Sequence, residues 1–104
     1  MTDKVKFYIP VGNVLQIAIR DELVKRLAPD YDAVVIHCGQ YAKQSKKDTK
    51  LCPLSIVEVY VDEVTEIRLE YFKALTDFLS QQIGDSVMVE IIKNIAYIGT
   101  ANHA

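Results

Sequence analysis

An α+β fold in the order βαββαβ is what this sequence predicts, and three observations carry it. Stretches that alternate apolar and polar residues every second position, such as KVKFYI, VEVYV and VMVEI, are separated by two stretches with a period near 3.6. Two β-branched runs, VVIHC and LSIVEVYV, succeed one another with no helical pattern between them, which disfavours a parallel three-layer arrangement. No shift in composition marks a linker, so residues 1–104 read as a single domain.

In KVKFYI, Val5, Phe7 and Ile9 alternate with Lys4, Lys6 and Tyr8, the pattern of a half-buried strand. Pro10 and Gly12 end it, and Asn13 is placed to cap the next segment. Leu15, Ile19, Leu23 and Leu27 then recur every four residues, with Arg20, Asp21, Lys25 and Arg26 off the stripe, which predicts an amphipathic helix closed by Pro29. The second half repeats the scheme. Val57, Val59 and Val61 alternate in a strand, Asp62 is placed to cap the next helix, and Val64, Ile67, Tyr71, Leu75 and Phe78 form its expected buried stripe. Gly84 stands where that helix should stop. DSVMVEII returns as a strand with Val87, Val89 and Ile91 on one face, and IAYIG is expected to extend it or add a fifth. Strand, helix, strand, strand, helix, strand is the split βαβ arrangement, a ferredoxin-like sandwich with two helices on one face of an antiparallel sheet.

The usual strand order 4-1-3-2 places Lys6 between Glu90 and Glu58, cross-strand pairs worth about 0.2–1 kcal/mol each. Around these charges the face opposite the helices carries Tyr8, Ile56, Tyr60, Met88 and Ile92. So many large apolar groups on one face predict a partner, and a homo-oligomer packed through its sheets is the expectation.

The stretch from residue 39 to 53, GQYAKQSKKDTKLCP, then falls between strands two and three. It is longer than a hairpin needs and carries Lys43, Lys46, Lys47 and Lys50. A solvated charge run is one reading. The other is a flexible basic loop that closes over an anionic ligand or docks on a partner protein. At its root, Gly39 and Gln40 before Tyr41 suggest a bend that aims the tyrosine ring.

Composition excludes several function classes. Half of the 104 residues are hydrophobic and a quarter charged, ordinary globular composition for a chain able to bury about two thirds of its unfolded surface. No apolar run reaches the roughly 20 residues of a membrane span, and MTDKVKFY lacks a signal-peptide core, so a cytoplasmic protein is expected. Cys38 and Cys52 show no CxxC spacing and read as reduced thiols. The net charge of −2 and the two glutamates on the open face argue against nucleic-acid binding. No nucleotide-binding or zinc-protease motif occurs, and no metal site or cofactor is expected. His37 and Cys38 are adjacent in a strand and point to opposite faces, so they do not form a nucleophile pair. Glu58 and Glu90 suit acid-base chemistry if buried, but Lys6 between them favours an ion pair.

The element order, with a long connection between strands two and three, resembles the PII signalling proteins, which are trimers of ferredoxin-like subunits. QQIGDSVMVEI resembles their B-loop through Ile83, Gly84 and Asp85, while Ser86 and Val87 stand in place of its second glycine and phosphate-binding lysine. Gly39-Gln40-Tyr41 and Asp85-Ser86-Val87 are similar to two motifs of the phage S-adenosylmethionine lyases, PII-like trimers of the same superfamily. The lyases' glutamate before strand three is absent, the region reading Leu51-Cys52-Pro53, which leaves Glu58 or a neighbouring subunit to supply a carboxylate.

These resemblances imply a homotrimer and an adenosyl-type ligand held in intersubunit clefts by Gly39, Gln40, Tyr41, Lys43, Gly84, Asp85 and Ser86. Three functions are compatible with them. The first is PII-like regulatory or small-molecule binding, and the second is a phage-type S-adenosylmethionine lyase with Tyr41 and Glu58 as catalytic residues. The third is an interaction or inhibitor module that uses the basic loop 42–50.

Overall fold

The computed structural model describes residues 2–95. Its elements are β1 (Thr2–Pro10), α1 (Val14–Leu27), β2 (Val34–Gln44), β3 (Thr49–Val61), α2 (Glu66–Ile83) and β4 (Met88–Ile95). The strands form one antiparallel sheet in the order β2-β3-β1-β4, and both helices pack on the same face. The ferredoxin-like order read from the sequence is the one observed.

The two-residue period of an extended chain decides which side chains enter the core. Val5, Phe7 and Ile9 of β1 and Val57 and Val59 of β3 are wholly buried beneath the helices. Phe7 meets Phe72 of α2 edge-on, with ring centroids 5.9 Å apart. Register brings Lys6 opposite both Glu58 and Glu90, as expected.

Helix α1 starts where expected. The Asn13 side chain accepts a hydrogen bond from the Gln16 backbone N–H at 2.9 Å, and Gln16 Oε1 in turn accepts from the Gly12 N–H at 2.8 Å. These bonds satisfy backbone donors that a helix start leaves free. They also correct the expected stripe: Gln16, Leu23 and Leu27 are buried and Ile19 packs against the core, whereas Leu15 is exposed. Arg20 is only partly exposed and donates to Ser55 Oγ of β3 at 2.8 Å, tying helix to sheet.

Two expectations about α2 are overturned. Asp62 does not cap it; Thr65 does, accepting from the Arg68 N–H, while Asp3 of β1 accepts from the Val64 N–H at 2.8 Å. The buried stripe is Phe72, Leu75, Thr76, Leu79 and Ile83; of the expected positions Val64 and Leu75 are buried, but Ile67 is 84% exposed and Tyr71 and Phe78 also lie outside the core. The helix carries apolar residues on two faces, so periodicity alone does not choose between them. Gly84 ends the helix in the left-handed conformation, at φ 71°, where a side chain is disfavoured.

The stretch 39–53 is not a slack loop. Strand β2 runs on to Gln44 and β3 begins at Thr49, with paired register from Gly39↔Leu54 out to Gln44↔Thr49. Only residues 45–48 turn, held by hydrogen bonds from the Ser45 N–H and Oγ to the Asp48 carbonyl. Strand β1 pairs with β3 no further out than Leu54, so the outer part of the hairpin is a two-stranded ribbon beyond the main sheet. Gly39 lies inside β2 rather than at a bend. It has no left-handed backbone, and a Cβ there would meet nothing within 4 Å. Both cysteines are free thiols. No helix among the described residues is long and apolar enough to cross a membrane. Apart from Ile95 in β4, the run IAYIG lies outside the described residues.

Candidate functional site

Register fixes which side chains share the sheet face away from the helices. Lys4, Lys6 and Tyr8 of β1 lie beside Tyr60, Glu58 and Ile56 of β3 and beside Ile92, Glu90 and Met88 of β4. Past Tyr8 the same alternation carries Pro10, opposite Leu54, and Leu54 faces Gly39. At this end of the open face lies a mainly apolar cavity of about 320 Å³, lined by Tyr8, Pro10, Tyr41, Leu54, Asp85, Ser86 and Met88.

Each wall is held by local structure. Tyr41 sits on the hairpin ribbon in register with Cys52, on the same face as Gly39, whose missing side chain leaves the space beside Leu54 open. Asp85 and Ser86 form the turn between α2 and β4. That turn is fixed by the Gly84 cap, by the Val87 N–H donating to Ser80 Oγ at 3.1 Å, and by burial of Val87. Asp85 Oδ1 accepts from the Ser86 N–H at 2.7 Å. The Tyr8 hydroxyl donates to Glu90 Oε1 at 3.0 Å, which orients its ring.

Both phenols are held further from ionisation than a free tyrosine. Burial, then hydrogen bonding and charge at Cys52 and Asp85, hold Tyr41 above its ordinary value of 10.0. Burial, then the hydrogen bond to Glu90, does the same for Tyr8. The Tyr41 phenol can donate a hydrogen bond to a bound molecule, and Asp85 can accept one or face a cation.

The structure thus brings together Tyr41, Asp85 and Ser86, from segments far apart in sequence. The other expected site residues stand apart from this cavity. Gln40 points to the opposite side of the ribbon from Tyr41 by strand alternation. Lys43 is exposed, opposite Lys50 near the ribbon tip. Gly84 lines a shallow depression behind the turn, which also includes Asp85 and Ser86.

Glu58 is not in the cavity either. It is only 5% exposed, with Oε1 3.4 Å from Lys6 Nζ and Oε2 3.2 Å from His37 Nε2. Burial alone would lower the Lys6 pKa, but its hydrogen bond to Glu58 and the charges of Tyr8, Glu58 and Glu90 outweigh that and leave it raised. The Lys6–Glu58 ion pair expected from the sequence is present, and the His37 imidazole lies against the second oxygen of the same carboxylate.

Sequence reasoning placed Tyr8 and Met88 on the open face but not in a site, and it passed over Pro10 and Leu54. The signal for them was the two-residue period of β1 continued to Pro10. No group of three or more metal-ligating side chains occurs among the described residues.

No family model and no curated protein matches the sequence. Solved structures do match. A phage SAM lyase in complex with S-methyl-5'-thioadenosine superposes with a TM-score of 0.58 at 16% identity, covering 99% of this chain and 93% of that one. The de novo designed protein Foldit4 gives 0.57 at 11% identity, over 91% of this chain and all of the design. A B. subtilis GlnK–ATP complex gives 0.50 at 12% identity, over 90% and 84%. A designed protein matches about as well as the lyase, so likeness at this level speaks to architecture and not to activity. Together with the strand order, it shows that the chain has the PII-like, ferredoxin-like fold.

Proposed function

We propose that this protein binds a small adenosyl-type molecule at the open-face cavity, in a cleft completed by a second copy of the chain within a homotrimer. The observation that carries the reading is the meeting of Tyr41 with Asp85 and Ser86 at one mainly apolar cavity. A volume of about 320 Å³ lies at the low end of the roughly 300–1,000 Å³ of ligand pockets. The cavity also opens on the face that bears exposed Met88 and Ile92. A partner packed there supplies the missing wall. Two structures of this fold hold adenosyl compounds, S-methyl-5'-thioadenosine in the lyase and ATP in GlnK.

A second reading, cleavage of S-adenosylmethionine, is favoured by one specific observation. Tyr41 of the Gly39-Gln40-Tyr41 stretch and Asp85 and Ser86 of the second lyase-like stretch line the same cavity. In that reading Tyr41 orients the substrate, and the carboxylate comes from a neighbouring subunit or from Glu58 once released from Lys6 and His37.

Incubation of the purified protein with S-adenosylmethionine and, separately, with ATP distinguishes the two. Binding is measured by calorimetry and products by liquid chromatography with mass spectrometry. Retention without turnover is the outcome expected for the binding reading. Release of S-methyl-5'-thioadenosine establishes the lyase, and neither binding nor turnover removes both.

A further inference from the structure

We infer that the open-face cavity selects its ligand by positive charge, taking an organic cation such as a sulfonium or quaternary ammonium among apolar substituents and disfavouring polyphosphates. This rests on the reading of that cavity as a ligand site, and it adds a charge class that the adenosyl reading alone leaves open.

Three features of the site argue for it. Asp85 is the one carboxylic acid among the lining residues, and no lysine, arginine or histidine is among them. The Asp85 carboxylate accepts from the Ser86 N–H through Oδ1, and none of the ion pairs among the described residues engages it. The second feature is the C-terminal end of α2, which stops at Gly84, the residue before Asp85, with no basic residue in its last turn. A helix C-terminus carries roughly half a negative charge, so it adds to Asp85 instead of opposing it. Finally, the walls are what a cation with apolar substituents needs. The rings of Tyr8 and Tyr41 offer negative π faces, and Leu54, Pro10 and Met88 accept apolar groups.

The nearby cations lie outside the lining. Lys6, the next open-face residue along β1 from Tyr8, is paired with Glu58, and Glu90 places another carboxylate against the Tyr8 hydroxyl. Lys43 and Lys50 face each other one step outward from Tyr41 on its face of the ribbon, both exposed and neither part of the lining. A triphosphate entering here meets Asp85 and a helix C-terminus with no lining cation to neutralise it, the reverse of the environment that binds phosphate.

The test compares S-adenosylmethionine, its uncharged-sulfur analogue S-adenosylhomocysteine, and ATP by equilibrium dialysis, with products quantified so that turnover is not mistaken for binding. The inference expects S-adenosylmethionine to bind at least about tenfold more tightly than S-adenosylhomocysteine, with ATP weaker than both. Asp85→Asn should shrink that ratio to below about threefold, its circular dichroism and thermal midpoint being recorded to show that it folds. Equal binding of the charged and uncharged compounds by the unaltered protein, or preferential binding of ATP, overturns the charge inference and leaves the adenosyl reading standing.

If no adenosyl compound binds, choline serves as the second probe. Choline binding that Asp85→Asn weakens keeps the charge inference and removes the adenosyl reading. Failure of choline as well overturns both.

Discussion

Tyr41 on the hairpin ribbon and Asp85 in the turn after α2 line one cavity, and the carboxylate is among the groups that hold the tyrosine's phenol above its ordinary pKa. A protonated phenol beside a carboxylate gives the site one donor and one acceptor on mainly apolar walls. Tyr41→Phe removes only the donor. It is expected to weaken binding of S-adenosylmethionine by about 2- to 13-fold, the worth of one hydrogen bond of roughly 0.5–1.5 kcal/mol. Unchanged affinity in calorimetry would take Tyr41 out of the site.

The open face predicts self-association. Met88 is 61% exposed on a face that also carries Ile92, Ile56 and Tyr60. Light scattering at micromolar concentration should give a multiple of the 11.8 kDa chain mass. Met88→Lys should shift the population towards monomer while the circular dichroism spectrum is retained. A monomeric unaltered protein would end the sheet-packed oligomer and the completed cleft with it.

Asp3 gives the fold a pH dependence. Its carboxylate accepts the Val64 and Asn94 N–H groups at 2.8 and 3.0 Å. These two bonds, aided by Lys93 against the opposing effect of burial, hold its pKa below the usual 3.8. The resulting stability is present above the unfolded-state value and is lost as pH falls through the lower folded-state value. Asp3→Asn should therefore lower the thermal midpoint at neutral pH, and the gap from the unaltered protein should narrow in acid. A midpoint difference that stays constant from neutral pH into strong acid would show that the charge of Asp3 contributes nothing.

The observed face of α2 is tested by contrasting two substitutions. Phe72 is wholly buried against Phe7, so Phe72→Ala should cost about 3–5 kcal/mol in denaturant unfolding. Ile67 is exposed, and Ile67→Ala should fall within about 0.5 kcal/mol of the unaltered protein. The reverse order would restore the stripe through Ile67, Tyr71 and Phe78.

Much of the fold is legible in the sequence because its signals are local. Val5, Phe7 and Ile9 alternate whatever lies beside them, Asn13 can cap only the segment that begins after it, and Gly84 tolerates the left-handed turn that its neighbours resist. Even the contact of Lys6 with Glu58 was within reach, since strand order and period together fix who stands opposite whom. The miss at α2 arose because Ile67, Tyr71 and Phe78 form an apolar stripe as regular as the one through Phe72 and Leu79. The miss at residues 39–53 arose because lysine, glutamine and serine read as loop when taken alone. Pairing of each β2 residue with one on β3 makes the segment a ribbon.

The sequence by itself determined the order of the elements, the inward faces of the strands and most of the helix ends, since each depends on chain geometry over a few residues. Only the tertiary structure decided which face of α2 is buried, how far the β2–β3 hairpin extends, and that Tyr8, Tyr41 and Asp85 share a cavity. Those outcomes depend on which surfaces pack and pair across the whole chain, and no short-range pattern encodes that choice.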